Sequence, residues 1–312
     1  MDAVVLAGAG KASRLVFGEN KAFLLIENRP ILNWVMDALC SCQHIEQVAV
    51  VGPLERLEKL LSAYSRARIL IIDQDKSLYE NASRAIYQLF GITKEDELKP
   101  QDYDKPVLVL SSDIPLLTST EVEYFIKHAP LDKYDFIYGV ASEATLSKFY
   151  PTKSKPGIKP ACFHTDKFSG RICNLVLVKP FRLKNRWLLD QVYSLRYQKR
   201  LFNILISLLK IIRLFKPGLI WNYILIQLGL QAERLGWKNL SKKAGKKVKL
   251  NILLEQISQL LGLRFGIFEL PFGGSALDID NERDYLVFCQ RFNEWKNEQE
   301  KLAKEFKEKG LL

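Results

Sequence analysis

Short apolar segments alternate with helical patterns through the first 140 residues of this 312-residue chain, and this alternation restricts the folds that the chain can adopt. The apolar segments cover residues 3–7, 48–51, 68–72, 106–110 and 135–140, and the helical patterns cover residues 30–42, 54–64, 77–90 and 121–128. Strands that are apolar throughout must be covered on both faces, and a strand–helix–strand order favours parallel pairing. The sequence therefore predicts an α/β fold with a mostly parallel, Rossmann-like sheet and helices on both faces.

A different pattern follows residue 150. Three prolines and three lysines between residues 150 and 160 indicate an irregular loop. Beyond it the sequence predicts, in order, short antiparallel strands at 161–164 and 172–178, a long helical stretch from 187 to about 261, a strand at 263–269 and a charged helix at 282–309. The predicted parts are an α/β core at 1–185, a helical insertion at 186–262, and the last strand with the C-terminal helix at 263–312.

The positive charge of the chain is concentrated in the predicted insertion. The whole chain has 46 lysines and arginines against 35 acidic residues, which gives a formal net charge of +11 at pH 7. Residues 186–250 contain 14 of these basic residues and only two of the acidic ones, so the remainder of the chain is close to neutral. A strongly basic segment of this kind is typical of a surface that binds phosphate groups.

The predicted insertion is also amphipathic. No stretch reaches the roughly 18 uncharged apolar residues that a membrane span needs, and Trp187, Trp221, Tyr223 and Trp237 are suited to the headgroup region of a bilayer. We predict that the insertion docks on an anionic membrane surface without spanning it. A helical lid with solvated lysines is the alternative, and nucleic acid fits the abundant leucine and isoleucine less well. The apolar stripe consists of Leu201, Ile204, Leu205, Leu208, Ile211 and Ile212, flanked by Lys199, Arg200, Lys210 and Arg213.

The five cysteines and three histidines form no pattern typical of a disulfide framework, a zinc site or a nucleophilic triad. An odd number of cysteines favours reduced thiols, and the first residues, MDAVVLAGAG, contain no basic segment followed by a cleavage site. We therefore expect a cytoplasmic protein that is peripheral on the inner face of the membrane if the insertion docks there.

The loop after the first predicted strand carries glycines and basic residues. Backbone N–H groups beside glycine can approach a phosphate closely, and lysine or arginine neutralises its charge. Ligands of open α/β sheets bind beyond the carboxyl ends of the strands, where this loop lies. We predict a phosphate-binding loop here, with an ordinary turn as the alternative. The candidate residues are Leu6, Ala7, Gly8, Ala9, Gly10 and Arg14.

Two further segments place carboxylates where a metal ion facing phosphates would bind. Asp113 lies just past an apolar strand, after Ser111 and Ser112, and Asp278 and Asp280 point the same way if their segment is extended. Hard cations prefer such oxygen ligands, so we predict a metal site formed by these three residues. The alternatives are a turn cap at Asp113 and an N-cap at Asp280.

Four segments, in order and at plausible spacing, resemble the nucleotidyltransferases of the molybdenum-cofactor guanylyltransferase-like group. The likeness covers about residues 1–140 and 263–285 and implies a GT-A-type α/β fold that transfers a nucleoside monophosphate. The matching residues are 4–10 (VVLAGAG), 20–23 with 28–32 (NKAF and NRPIL), 111–115 (SSDIP) and 277–284 (LDIDNERD).

The resemblance implies roles for the residues of these segments. The backbone of Gly8, Ala9 and Gly10 would hold the triphosphate, Lys21 would stabilise charge at the α-phosphate, and Asn81 would contact the nucleotide. Asp113 and Asp280, with Asp278, would hold Mg²⁺. The phosphate of an acceptor, a sugar, polyol or lipid-headgroup phosphate, would then attack the α-phosphorus and expel pyrophosphate, which requires positioning and charge neutralisation more than an acid–base pair.

The acceptor side lies outside the resemblance. A lysine-rich loop followed by a strand with asparagine suggests Lys153, Lys155, Lys159 and Asn174 as acceptor-binding residues, with solvated loop lysines and a turn asparagine as the alternative. Two other functions stay open. A GT-A-type glycosyltransferase predicts Asp-x-Asp near the middle of the chain, whereas Asp278-x-Asp280 lies near its end. A non-catalytic nucleotide-binding protein would not need Lys21, Asp113 and Asp280.

Overall fold

The computed structural model describes residues 1–8, 14–75, 77–185, 188 and 217–312. The strands are β1 (Asp2–Leu6), β2 (Leu25–Ile26), β3 (Arg29–Pro30), β4 (Val48–Gly52), β5 (Ile69–Asp73), β6 (Val107–Ser111), β7 (Phe136–Ser142), β8 (Phe163–His164), β9 (Ser169–Val178) and β10 (Phe265–Glu269). The α-helices are α1 (Ile31–Cys40), α2 (Leu54–Leu60), α3 (Leu78–Leu89), α4 (Ser119–His128), α5 (Glu143–Leu146), α6 (Pro217–Arg234), α7 (Lys238–Lys246), α8 (Leu250–Leu261) and α9 (Glu282–Glu308).

Eight of these strands form one mixed, mostly parallel sheet. Its order is β10-β7-β9-β6-β1-β4-β5, and β8 pairs with β9. β1 pairs in parallel with both β4 and β6, whereas β9 runs antiparallel between β6 and β7. The predicted α/β fold is therefore confirmed, and so is the predicted antiparallel pair, which β8 and β9 form.

Both faces of the central strands are covered because both sets of alternating side chains are apolar. On β1, Ala3 and Val5 pack in the largest apolar cluster together with α1, and Val4 packs in a second cluster with Ala85 and Ile86 of α3. Residues alternate between the two faces of a strand, so these two clusters lie on opposite sides of the sheet. A strand such as β1 must therefore lie in the interior of a three-layered structure.

Several predicted elements differ in length from the observed ones, and α2 and β9 show the largest changes at one end. α2 ends at Leu60 rather than at residue 64, and β9 begins at Ser169, three residues before the predicted start. The early start of β9 matters for function, because it extends this strand along β7 to the carboxyl-end edge of the sheet, where Gly170 pairs with Ser142.

The described part of the predicted helical stretch forms three helices. α6 ends at Arg234, and Gly236 follows with a φ of +81°, a left-handed conformation that terminates helices and favours glycine. The stripe predicted between residues 199 and 213, together with Trp187, lies outside the described residues. The boundary predicted between residues 185 and 186 borders that segment and stays a prediction.

The three helices of the insertion pack on one another and on the core. Leu219, Leu225, Val248 and Leu253 form their own apolar cluster. Gly245 of α7 lies against the backbone of His164 in β8, where an added Cβ would come within 2.3 Å of the His164 Cβ, so the close approach requires glycine. In the part of the chain that the structure describes, no helix combines the length and the apolarity needed to cross a membrane.

Candidate active site

The predicted catalytic residues come together at the edge where the parallel strands end. Lys21 Nζ lies 3.0 Å from Asp113 Oδ2 and 3.8 Å from Asp280 Oδ1. Arg171, near the start of β9, contacts both Asp278 and Asp280, the latter at 3.3 Å. β9 is antiparallel to its neighbours, so its first residues lie at the same edge as the last residues of β6. The five side chains form a single cluster, which we call the carboxylate–cation cluster.

Lys21 is positioned by the residue before it. The buried Asn20 side chain donates to Ala7 O at 2.9 Å and accepts from Ala22 N at 3.0 Å. These bonds cap the short 3-10 helix Lys21–Phe23 and attach it to the segment that follows β1. As a result the Lys21 ammonium, whose side chain is mostly buried, faces the carboxylates at the end of β6.

The three carboxylates are joined through the backbone. Ile279 N donates to Asp113 O at 3.3 Å, which brings the extended segment with Asp278 and Asp280 against the end of β6. Ser111 Oγ donates to Asp113 Oδ1 at 2.6 Å and orients that carboxylate. The N-cap of α9 is Asn281 rather than Asp280, because the Asn281 side chain accepts from Asp284 N.

Ser275 anchors the segment that leads to Asp278. Its backbone N–H and its hydroxyl both donate to Glu121 Oε1 of α4, and its carbonyl accepts from the backbone and side-chain N–H groups of Asn174 at 2.9 and 3.3 Å. Asn174 was predicted to bind an acceptor, but in the structure it contacts this segment. Glu121 and Asn174 are therefore positioning residues for the two aspartates of the segment.

Two opposing effects, burial and ion pairing, determine the pKa values of the side chains in the cluster. Burial disfavours the charged forms of Lys21 and Arg171, but the facing aspartates outweigh burial and raise the pKa of both. Burial raises the pKa of Asp278 to about 6 despite Arg171. Asp280 is half exposed, and Arg171 and Lys21 overcome the effect of burial and lower its pKa.

The carboxylate oxygens of the cluster are of the type that Mg²⁺ prefers, although in the described residues no group of three or more histidine, cysteine or acidic side chains is arranged to hold a metal ion. One oxygen of Asp113 and one of Asp280 already face the same positive charge, the Lys21 ammonium. Three carboxylates face two fixed cations, so the cluster accommodates further positive charge. The predicted magnesium site stays a prediction.

The predicted nucleotide-binding residues that the structure describes lie near the end of β1 and the starts of α3 and α9. Leu6 ends β1, and Ala7 N donates to Val51 O. Asn81 of α3 is buried and lies next to Gly8, where an added Cβ would be 3.8 Å from Asn81 Nδ2 and 3.2 Å from Gln74 Oε1. Arg14 pairs with Glu282 at 3.3 Å on the exposed side. Ala9 and Gly10 lie outside the described residues.

The predicted acceptor lysines are separated from one another. Lys153 is exposed, Lys155 pairs with Glu294 of α9 at 2.8 Å, and Lys159 pairs with Glu233 of the insertion at 3.1 Å. Lys155 and Lys159 thus attach the loop to two different helices, α9 and α6. Acceptor binding by these residues stays a prediction.

Arg171 and Glu121 are the site residues that the sequence did not reveal. Arg171 is a single arginine within an otherwise ordinary strand, and only the pairing of β9 with β7 shows that it lies at the edge of the sheet. Glu121 reads as a surface residue of an amphipathic helix, yet it is fully buried. The one available signal was its position as the third residue of α4, after the N-cap Thr118.

The similarity to known proteins agrees with this geometry. The family model of the MobA-like NTP transferase domain matches residues 3–205. A hypothetical transferase from Thermus thermophilus has the same fold, with 21% identity, a TM-score of 0.59 and coverage of 91% of this chain and 98% of its own.

A 4-diphosphocytidyl-2C-methyl-D-erythritol synthase from Anaerococcus prevotii is more distant, with 10% identity, a TM-score of 0.46, and coverage of 94% of this chain and 97% of its own. No curated protein matches the sequence significantly. The family model covers well over half of the chain and includes β1, Lys21 and Asp113. The chain therefore belongs to the family of MobA-like NTP transferase domains.

Proposed function

We propose that this protein transfers a nucleoside monophosphate from an NTP to the phosphate of a small sugar, polyol or lipid-headgroup acceptor. An oxygen of the acceptor phosphate forms a bond to the α-phosphorus, the bond from that phosphorus to the bridging oxygen breaks, and pyrophosphate leaves. The observation that carries the proposal is the position of Lys21, which Asp113 and Asp280 hold at the carboxyl ends of the strands in a chain of this family.

Lys21 is the residue that we assign to charge stabilisation at the α-phosphate. A fixed cation in a mostly buried site acts on developing negative charge more strongly than it would in water. Asn20 keeps its turn in place, so little reorganisation is needed during the reaction. Gly8 and Asn81 lie together at the end of β1, and we assign them to the triphosphate and the nucleoside.

Asp113 and Asp280, with Asp278, would hold Mg²⁺. When bound, this ion would neutralise phosphate charge and orient the triphosphate. Arg171 holds Asp278 and Asp280 in place by contacting both. Its guanidinium also limits the repulsion between the three carboxylates, which lie close together.

For the acceptor we assign the lysine-rich loop 150–160, with Lys153 and Lys155 as its cationic residues. The loop is followed by β8, in which Phe163 pairs with Gly170, the residue before Arg171, so the loop leads toward the carboxylate–cation cluster. Lys159 and Asn174 have structural partners, and we expect them to act by positioning.

A pyrophosphate-release screen tests the proposal. Four NTPs are each combined with phosphorylated sugars, polyols and glycerol phosphate, with Mg²⁺ and with a chelator. We expect release with one preferred NTP and one acceptor class, and only with Mg²⁺. Release of free nucleoside diphosphate from a nucleotide sugar would instead indicate a glycosyltransferase. Nucleotide binding without any turnover would indicate a non-catalytic protein.

Two substitutions test the assigned site. Asp113→Ala and Asp280→Ala are each expected to abolish measurable turnover, because the loss of a metal ligand removes several kcal/mol of transition-state stabilisation. Asp104→Ala is the matched control, since Asp104 pairs with Arg182 on an exposed surface. Circular dichroism verifies the fold of all three variants. Near-normal turnover in both site variants would contradict the two-carboxylate site.

A further inference from the structure

We propose that α6, α7 and the turn between them form a docking surface for an anionic lipid bilayer. Five large apolar side chains on these elements are more than half exposed, and we call them the apolar patch. Their exposed fractions are 57% for Trp221, 58% for Leu228, 62% for Leu235, 59% for Trp237 and 53% for Leu240. This proposal concerns a region away from the carboxylate–cation cluster and does not depend on the proposed function.

The patch lies along one side of α6 and continues into α7. Trp221 and Leu228 are seven residues apart on α6, and Leu235 follows the helix at the same spacing. Residues separated by seven positions lie on the same helix face. The adjacent face of α6 contains Leu225, Gly229 and Ala232, which are buried. α6 therefore has an apolar face that packs inside the protein and, beside it, an apolar strip that faces solvent.

The surface around the patch is predominantly basic, although Lys242 and Lys249 pair with Glu143 and Asp166 of the core. Residues 217–254 contain seven lysines and arginines and a single acidic residue, Glu233. Glu233 is buried against Lys159 and His164, so it contributes no negative charge to the outer surface. On α7, Ser241 and Gly245 face inward, and the lysines lie on the exposed side. The exposed lysines are Lys238, Lys242, Lys243, Lys246, Lys247 and Lys249.

This combination of side chains matches a lipid interface in two respects. Tryptophan and leucine enter the boundary between headgroups and acyl chains, whereas lysines beside them remain with anionic headgroups. Phosphate tracking along nucleic acid uses the basic residues but leaves a row of leucines in water. Because no described helix is long and apolar enough to cross a bilayer, the surface lies on the membrane rather than in it.

Vesicle co-sedimentation of the full-length protein tests the proposal. The vesicles contain phosphatidylcholine alone or an equal mixture of phosphatidylcholine and phosphatidylglycerol. We expect sedimentation with the anionic vesicles at low salt, little with the neutral ones, and at least a tenfold weaker association at high salt, where surface charges are screened. Absence of sedimentation with anionic vesicles at low salt, or equal sedimentation with neutral vesicles, would overturn the proposal.

Matched variants test whether the patch and its lysines are responsible. Leu228→Glu is compared with Leu286→Glu, since Leu286 is also a half-exposed leucine and lies on α9. The double variant Lys243→Glu/Lys246→Glu is compared with Lys304→Glu/Lys307→Glu, also on α9. We expect at least tenfold weaker vesicle binding for the first member of each pair and less than threefold change for the second.

Three further outcomes are informative. Equal losses in patch and control variants would overturn the proposal, because binding would then follow total charge or apolarity. Binding of an oligonucleotide that depends on Lys243 and Lys246, without vesicle binding, would overturn it in favour of nucleic acid. Quenching of tryptophan fluorescence by brominated lipid, reduced in Trp221→Phe/Trp237→Phe, would support it without relying on a variant that alters charge.

Discussion

Two clusters of charged side chains lie close to β9, and they differ in composition and exposure. In the carboxylate–cation cluster, three aspartates face Lys21 and Arg171, and the Asp280 side chain is 52% exposed. In the second, which we call the insertion clamp, Glu233 of α6 is paired with Lys159 and lies 3.6 Å from His164, with 4% of its side chain exposed. The first cluster has an excess of carboxylates, one of them half exposed, whereas the second has a single, buried carboxylate whose cation Lys159 is 30% exposed.

This difference indicates two roles for buried charge. An open cluster with excess negative charge can exchange a partner, so it suits a site that binds cations and phosphates in turn. A single buried carboxylate with its paired cation specifies how two parts of a chain fit together, because separating them leaves the carboxylate buried without its cation. The insertion clamp joins α6 to the loop 150–160 and to β8, and we interpret it as structural.

The largest expected difference between the clusters is in catalysis. Lys21→Ala should lower kcat by about 10²–10³, because the cation acts mainly on charge that develops in the transition state. Lys159→Ala should change kcat less than threefold, since it lies in the insertion clamp. Steady-state pyrophosphate release with the preferred NTP and acceptor measures both.

The two kinetic constants of Lys21→Ala decide its role. If only the KM for the NTP rises and kcat stays unchanged, Lys21 binds the ground state and the assigned role is wrong. If Lys159→Ala loses as much kcat as Lys21→Ala, the insertion clamp belongs to the catalytic machinery and the comparison fails.

A second expected difference is in the pH dependence of stability. Burial raises the pKa of Glu121, which supports the carboxylate segment, to about 7 from an ordinary value of 4.5, although Ser275, Lys148 and Lys296 oppose the rise. The folded state therefore holds this proton more tightly, and its contribution to stability is lost as pH rises from 4.5 to 7. Glu233 behaves in the opposite way. Burial raises its pKa, but Lys159 and His164 lower it overall, so its stabilising contribution is lost as pH falls.

Urea denaturation from well below pH 4.5 up to pH 7 measures both effects. The unfolding free energy should decrease toward neutral pH, and Glu121→Gln should make this decrease smaller. The expected difference is up to a few kcal/mol, since one pKa unit corresponds to about 1.4 kcal/mol. Glu233→Gln should remove part of the decrease toward acid pH. Profiles parallel to that of the unsubstituted protein would show that neither carboxylate titrates as its environment predicts.

The smallest expected effect is at an exposed ion pair. Lys155 and Glu294 are 2.8 Å apart, but both side chains are substantially exposed and screened by solvent. Lys155→Ala should change the unfolding free energy by less than about 1 kcal/mol. If the substitution also raises the KM for the acceptor, Lys155 binds the acceptor as predicted. If Lys155→Ala changes the unfolding free energy as much as Glu233→Gln does, the exposure of an ion pair does not determine its contribution to stability.

Much of the α/β core could be predicted because short stretches of sequence are enough to identify its strands and helices. The strands at residues 48–51 and 106–110 are apolar on both faces, and both faces can be buried only inside a layered structure. Asp113 was identifiable for the same reason, because a carboxylate directly after a buried strand must lie at the end of the sheet. Asn81 and Lys21 followed from the resemblance and not from their patterns.

Other parts depend on contacts between distant residues. Asn174 reads as a turn or binding asparagine, and only the approach of Ser275, about a hundred positions away in sequence, shows that it positions the carboxylate segment. The described part of the long helical pattern contains two breaks, between α6 and α7 and between α7 and α8. Only the first has a glycine, Gly236, in the left-handed conformation that ends a helix.

The sequence by itself determined the layered α/β fold, the basic and amphipathic character of the insertion, and the carboxylates available at the ends of strands. These properties depend on local apolar periodicity and on composition. Only the tertiary structure decided that Arg171 joins Asp278 and Asp280, that Glu121 is buried under their segment, and that Glu233 holds the insertion to the core. An ion pair between distant residues has no local pattern, because the energy that stabilises it exists only after the chain has folded.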